Sequence, residues 1–267
     1  MWNRGKTGKV IWEKMTDNRF CALILAAGKG TRMKSDLAKV LHLLEGKPLL
    51  SYSLAAARIA GAEKIVVIVG HQADVVKKEF AGSGAVFVEQ NPQLGTGHAV
   101  LQAKDVLAGY TGLTVILCGD VPLLQPATIS GLIANHRASG APVTVLTTYP
   151  ADPRGYGRVV KDAEGKVSKI VEERDATAEE KSIGEINTGI YCVDTPFLFS
   201  ALGKITNNNN QQEYYLTDIV EIACREGFTV RSHIAPDYIE VMGINTPEEL
   251  ARAGRHLQDN QKSPVTQ

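Results

Sequence analysis

Cys21-Ala22-Leu23-Ile24-Leu25-Ala26-Ala27-Gly28-Lys29-Gly30-Thr31-Arg32-Met33 runs from five apolar residues into a turn that holds two glycines and two cations within five positions. An apolar run of this length that meets glycine at once reads as a buried strand ending in a loop. Glycine lets the backbone come close to a ligand, so successive N–H groups can converge on an anion while Lys29 and Arg32 add charge. The stretch is therefore either a phosphate loop or a glycine-rich turn between strand and helix. Two better-defined phosphate loops do not fit. A Walker A loop ends in Gly-Lys-Ser/Thr, which is missing at that spacing, and the dinucleotide fingerprint needs a third glycine or alanine where Met33 stands.

The same texture continues downstream. Cys21 to Leu25, Lys64 to Val69, Thr114 to Cys118 and Val143 to Thr147 are short apolar, β-branched runs, with a further short strand at Val86 to Val88. Between them, Pro48 to Ala60, Ala73 to Phe80, Gly97 to Ala108 and Pro126 to Ser139 have helical patterning. The alternation predicts an α/β fold, a Rossmann-like, mixed but mainly parallel sheet flanked by helices. Ligands of such sheets sit at the carboxyl ends of the strands, where the Gly28 loop and the Gly119-Asp120 pair both fall. After Ala151 the pattern becomes hairpin-like, with Gly155-Tyr156-Gly157 and Glu164-Gly165-Lys166 as turns, which predicts a small β-rich subdomain. A helix is expected over Leu216 to Glu226. Another starts at Thr246-Pro247-Glu248-Glu249, where Thr246 caps, Pro247 takes the first helical position and Glu249 closes a capping box. The reading divides the chain into an arm at 1–19, a domain at 20–255 with a first half (20–150) and a second half (151–245), and a polar tail at 256–267.

Composition narrows the function classes. Of 267 residues 44% are hydrophobic, enough for a sizeable core, and 29 basic residues balance 29 acidic ones. Nucleic acid and anionic membrane are therefore not expected partners. Cys21, Cys118, Cys192 and Cys224 include no C-x-x-C pair, so neither a zinc site nor a disulfide framework is expected. No apolar stretch nears the ~18 residues of a membrane span, and the N-terminal charges are interrupted before any signal-peptide core forms. The expectation is a cytoplasmic protein.

Several polar residues at strand ends carry candidate chemistry. Asp120, in Leu117-Cys118-Gly119-Asp120-Val121-Pro122, is either a turn cap or a metal ligand. Lys39, flanked by Ala38 and Val40, either snorkels to solvent or turns toward an anion. Gln90 and Leu94-Gly95-Thr96-Gly97-His98 offer the donors and acceptors that reading a pyrimidine edge requires, or else form a polar loop before a helix cap at Thr96. His98 reads as a structural histidine. Asn187 and Asn245 each stand close to a glycine at the margin of an apolar run, and Glu172 ends a strand; turns and a solvated strand end would also explain them.

Taken in order from Cys21 to Asn245, these segments resemble the sugar-phosphate nucleotidyltransferases. The resemblance is carried by Leu25 to Met33, Lys39, Gly119-Asp120-Val121-Pro122-Leu123, Gly155-Tyr156-Gly157-Arg158, Glu185-Ile186-Asn187-Thr188-Gly189 and Glu213-Tyr214-Tyr215-Leu216-Thr217-Asp218. Within that family the chain is most similar to the uridyltransferase half of bacterial bifunctional N-acetylglucosamine-1-phosphate enzymes. The resemblance implies UTP and N-acetylglucosamine 1-phosphate as substrates and Mg²⁺ as cofactor. It implies that Asp120 and Asn245 hold the metal, that Arg32 and Lys39 neutralise the phosphates, and that Ala26, Ala27, Gly28, Gln90, Gly95 and Thr96 bind the nucleotide. Gly157, Glu172, Asn187 and Asn245 would hold the sugar. The alternatives are another sugar 1-phosphate, such as glucose 1-phosphate, with UTP or dTTP, and a binding module without turnover. The chain departs from the pattern at Ala38, where relatives commonly have proline, and at Cys118, where they often have tyrosine. No six-residue repeat of the acetyltransferase type occurs, so acetyl transfer is not implied.

Overall fold

In a computed structural model, which describes residues 3–4, 10–11 and 20–262, the stretch Phe20–Ala26 is an inner strand, β1, of a nine-stranded sheet. The others are β2 (Lys64–Val69), β3 (Val86–Glu89), β4 (Leu113–Cys118), β5 (Val143–Thr148), β6 (Arg158–Lys161), β7 (Val167–Val171), β8 (Ile186–Asp194) and β9 (Arg231–Ile234). β1 pairs in parallel with β2 and β4, and β2 with β3. β8 runs antiparallel to both β4 and β5, and β9 is parallel to β5. β1 to β5 and β9 thus all point one way, with β8 reversed among them. The β6/β7 hairpin extends this sheet from β8, where Arg158 pairs with Ile186.

The helices are α1 (Leu49–Ile59), α2 (Ala73–Glu79), α3 (Thr96–Leu101), α4 (Pro126–Ser139), α5 (Ala178–Lys181), α6 (Thr195–Leu202), α7 (Asp218–Arg225) and α8 (Pro247–Lys262). They cover both faces of the sheet. Ala22, Ile24 and Ala26 of β1 pack with Val67, Val115 and Leu117 and with Leu50, Leu54, Ile129 and Leu132 of α1 and α4. The intervening Cys21 and Leu23 pack with Val66, Ile68 and Ile116 and with Val100, Phe197, Leu198 and Ile219 of α3, α6 and α7. Burial on both faces is why the strands are apolar throughout and do not alternate. Each such branched side chain contributes about 1.5–3 kcal/mol on leaving water.

A third, smaller cluster unites Met33, Leu44, Leu49, Leu123, Ile244 and Ala253. Met33 stands where a dinucleotide loop would need a small residue, and its bulk fills this cluster. Arg32, Asp120 and Asn245 all lie within three positions of its members.

Three boundaries differ from the sequence reading. The helix expected over Gly97 to Ala108 stops at Leu101, because the N–H groups of Gln102, Ala103 and Lys104 donate to carbonyls three residues back and tighten the chain into turns. The helix expected over Leu216 to Glu226 is the shorter α7. α8 continues through Lys262, past the boundary drawn at 255, because Leu250, Ala253 and Leu257 lay one face on the third cluster. Asn3–Arg4 pairs antiparallel with Val10–Ile11; the rest of the expected arm, and 263–267 of the expected tail, lie outside the described residues. Among the described residues no helix is long and apolar enough to cross a membrane.

A buried charge helps anchor the hairpin. Arg158 is 1% exposed, pairs with Glu173 Oε2 at 2.8 Å and donates to the Tyr156 carbonyl. Arg158→Met keeps an apolar stem but removes the partner of both groups. It should cost about 3–5 kcal/mol, measured as a lower urea midpoint at unchanged m-value; an unchanged midpoint would remove Arg158 as the anchor.

Candidate active site

The carboxyl ends of β1, β2 and β4 meet. The Gly119 N–H donates to the Leu25 carbonyl at 2.9 Å, His71 N–H to Ala27 at 3.2 Å and Gln90 N–H to Val69 at 2.7 Å. Above them opens a cleft of about 970 Å³ lined in part by Ala26, Ala27, Gly28, Lys39, Gln90, Gly95, Thr96 and Asp120. That volume suits a nucleotide-sized guest. The N–H groups of Gly28, Lys29 and Gly30 have no acceptor among the described residues. A Cβ on Gly28 would meet open space. Gly30 has φ +63°, and a Cβ there would stand 2.7 Å from that of Lys39, so this glycine is what lets the lysine pack against the loop.

At one end of the cleft four side chains converge. The Lys39 ammonium forms an ion pair with Asp120 Oδ2 and donates to Asn245 Oδ1 at 3.1 Å; Arg32 Nη2 donates to the same Oδ1 at 2.9 Å. Backbone contacts hold the two acceptors together. The Ile244 N–H donates to the Asp120 carbonyl at 2.8 Å, and a Cβ on Gly243 would stand 3.4 Å from Asp120 Oδ2. Asp120 and Asn245 thus present oxygens to a single cation, here the lysine. Hard oxygen donors of this number fit Mg²⁺, which takes one or two protein ligands and completes its shell with water and substrate phosphate. Among the described residues no group of three or more His, Cys, Asp or Glu gathers to make an all-protein cage.

At the other end, Gln90 is 5% exposed and its Nε2 donates to the Gly95 carbonyl at 2.9 Å. Gly95 has φ +108°, and a Cβ there would lie 2.7 Å from the Tyr214 carbonyl oxygen and 2.8 Å from its nitrogen, so the 213–216 segment seats directly on this glycine. The Gly97 N–H donates to Tyr214 O at 2.8 Å. The Thr96 hydroxyl accepts from Leu216 N–H at 3.0 Å, a structural bond rather than the helix cap of the sequence reading; Gly95 takes the cap position.

The residues expected to hold a sugar are divided. Gly157 and Asn187 are in contact: the Asn187 N–H donates to Gly157 O at 2.9 Å, and a Cβ on Gly157 would lie 3.6 Å from that of Asn187. Neither lines the large cleft. Glu172 faces a separate pocket of about 410 Å³ with Asp175, Tyr215 and Asp218, and accepts from Thr217 Oγ1 at 3.3 Å. Asn187 and Glu172 both lie beside the buried Tyr191, whose phenol burial pushes well above its ordinary range. Cys118 links this neighbourhood to the cleft: its thiol, pushed up to about 12 by burial, donates to Gly189 O at 3.6 Å.

Three residues contribute to the site in ways the sequence reading did not assign. Glu249 accepts from Asn245 N–H at 2.6 Å and from Thr246 N–H at 3.2 Å, so the capping box that starts α8 also fixes Asn245. Gln93 Nε2 donates to Ala27 O beside Gly70, which has no room for a Cβ. Tyr156, its phenol raised by burial and then by the charges of Glu249 and Asp120, lies near the cation cluster. Only the capping box left a sequence signal.

Comparison with known proteins adds the following. The sequence model of the MobA-like NTP transferase domain matches residues 22–179. The chain is 53% identical over 235 residues to bifunctional protein GlmU of Geobacter metallireducens, covering 88% of this chain and 49% of that protein. It is 54% identical over 237 residues to that of Trichlorobacter lovleyi, covering 88% and 52%. The chain thus spans about half the length of these relatives. A crystal structure of UDP-glucose pyrophosphorylase complexed with UDP-glucose superposes with a TM-score of 0.72 at 17% identity, covering 91% of this chain and 99% of that one, which establishes the shared fold.

The pocket at Glu172 has a pH signature. Burial lifts the Asp218 carboxyl from 3.8 to about 6, with Glu221 adding to it, and burial also raises Glu172. The folded chain therefore keeps a proton that the unfolded chain has released. This stabilisation is full below the unfolded value and is lost as pH rises through about 6. Asp218→Asn, which does not ionise, should be more stable than wild type in urea at pH 7 and equal to it by about pH 4. A variant less stable at pH 7 would contradict the assignment.

Proposed function

This chain belongs to the MobA-like NTP transferase domain family, and from that premise we propose that it transfers UMP from UTP to N-acetylglucosamine 1-phosphate, giving UDP-N-acetylglucosamine and pyrophosphate. The observation that carries the reading is the convergence of Lys39, Arg32, Asp120 and Asn245 at one end of a cleft whose other end presents Gln90 and Gly95. The relatives named bifunctional protein GlmU, with about half the residues identical over the stretch they share, support the same reading.

In this reaction a phosphate oxygen of the sugar phosphate forms a bond to the α-phosphorus of UTP as the bond to the bridging oxygen of pyrophosphate breaks. The nucleophile is already anionic, so no general base is required, and catalysis comes from positioning and charge neutralisation. The open N–H groups of the Gly28 loop receive phosphate oxygens. Lys39 and Arg32, at hydrogen-bond distance from Asn245, supply positive charge to the triphosphate and to the departing pyrophosphate. Asp120 and Asn245 would hold Mg²⁺, which when bound neutralises developing phosphate charge. Gln90 and Gly95 read the base, and Gly157, Asn187 and Glu172 receive the N-acetyl sugar.

The direct test is pyrophosphate release from UTP in the presence of Mg²⁺, with N-acetylglucosamine 1-phosphate and glucose 1-phosphate compared under identical conditions. The acetylated sugar should be strongly preferred; preference for glucose would reassign the sugar pocket, and release with neither would sink the reading. Asp120→Asn should lower turnover by more than about a hundredfold while leaving the melting temperature near that of wild type. Glu172→Ala should raise KM for the sugar phosphate far more than KM for UTP; equal effects would take Glu172 out of the sugar site.

A further inference from the structure

The turn between β2 and α2 braces the loop that presents Lys39. Gln72, the residue before α2, is half-buried and holds the left-handed conformation, φ +53°, which residues other than glycine rarely adopt. Its amide spans residues 36–38: Oε1 accepts from the Ala38 N–H at 2.8 Å, and Nε2 donates to the Asp36 carbonyl at 2.9 Å. A backbone N–H only donates and a backbone carbonyl only accepts, so the two contacts together leave the amide a single orientation. The side chain pairs with this segment as the peptide of a neighbouring strand would.

Other contacts do not duplicate this one. Among the described residues the Ala38 N–H has Gln72 as its acceptor and no other. The Leu37 N–H turns to Ser35 Oγ within the loop, and His71 Nε2 approaches the Asp36 carbonyl, at 3.4 Å. Ala38, Val40 and Leu41 are buried in the core, but apolar packing is not directional and does not set the rotation of a peptide plane. Lys39 follows Ala38 directly, and its ammonium pairs with Asp120 and Asn245. In the proposed reaction that ammonium turns to the triphosphate; the tie at Gln72 outlasts the turn, because it holds the backbone and not the charge. The same stretch also reaches the glycine-rich loop, where the His71 N–H donates to the Ala27 carbonyl at 3.2 Å.

We infer that Gln72 is a positioning residue for Lys39: by holding the Ala38 N–H and the Asp36 carbonyl it sets the backbone from which the ammonium reaches the phosphates of the nucleotide. Gln72 is not part of the cleft wall, so its effect on binding passes through Lys39. This inference rests on the proposed reading of Lys39 as a phosphate ligand.

A double-mutant cycle on UTP binding tests this, with Kd measured by calorimetry on the full chain in Mg²⁺ and without sugar phosphate, so that no turnover is needed. Methionine keeps the length of glutamine and loses both hydrogen bonds. Gln72→Met should weaken UTP binding by about fivefold or more in wild type, and by less than about twofold in Lys39→Met, which has no charge left to place. Exchange of the Ala38 amide hydrogen should be faster in Gln72→Met than in wild type. A general loss of stability would weaken binding equally in both backgrounds, and that result would overturn the inference, as would unchanged UTP binding in Gln72→Met or unchanged exchange at Ala38. If wild type binds UTP and releases no pyrophosphate, the proposed reaction fails while the cycle still decides the role of Gln72. If wild type binds no UTP, Lys39 is no phosphate ligand and the inference falls with it.

Discussion

The Lys39 ammonium, held between Asp120 and Asn245, is the interaction on which the rest of the site depends. Its partners are 81 and 206 positions away in sequence, so a single charge draws three distant segments to one point. Arg32 reaches the same asparagine oxygen from the glycine-rich loop. Such a contact holds only if the backbones that carry it are fixed, and the third apolar cluster fixes them: Met33 adjoins Arg32, Leu123 follows Asp120, and Ile244 precedes Asn245. Glu249 secures the last of these by accepting from the Asn245 N–H. The charged groups meet because apolar neighbours, a few residues from each, are buried together.

The sheet supplies the other half of the geometry. Because β1, β2 and β4 point the same way, their carboxyl ends open on one cleft, with the cation cluster at one end and Gln90 at the other. Glycines set how closely the walls approach. Gly30 makes room for Lys39, and Gly95 lets the 213–216 segment close directly on the Gln90 end. At these two positions a methyl group would meet another chain segment within 3 Å, so the glycines are required by contact as well as by backbone angle.

Much of this was legible in the residues. The apolar run before Gly28 announced β1, and the run from Thr114 announced β4 beside it, because strands buried on both faces have an unmistakable composition. The direction of β8 was not legible, since an apolar strand reads the same whichever way it runs. α3 was overextended because helical patterning does not reveal where hydrogen bonds tighten from four residues to three. Lys39, Asp120 and Asn245 each stood out as polar residues at strand or loop ends, but their meeting is a long-range contact that only the family resemblance suggested. Thr96 was ambiguous for the same reason: whether a hydroxyl meets a ligand or the backbone depends on which partner it finds in space.

The central proposal is that Asp120 and Asn245 form the seat for the metal cation of the proposed reaction. Anomalous diffraction from crystals grown with UTP and Mn²⁺ tests it most directly. The account expects a manganese peak bounded by Asp120 and Asn245, with the Lys39 ammonium moved from the carboxylate to the phosphates. Manganese bound elsewhere, or Lys39 still paired with Asp120 beside a bound triphosphate, would contradict it.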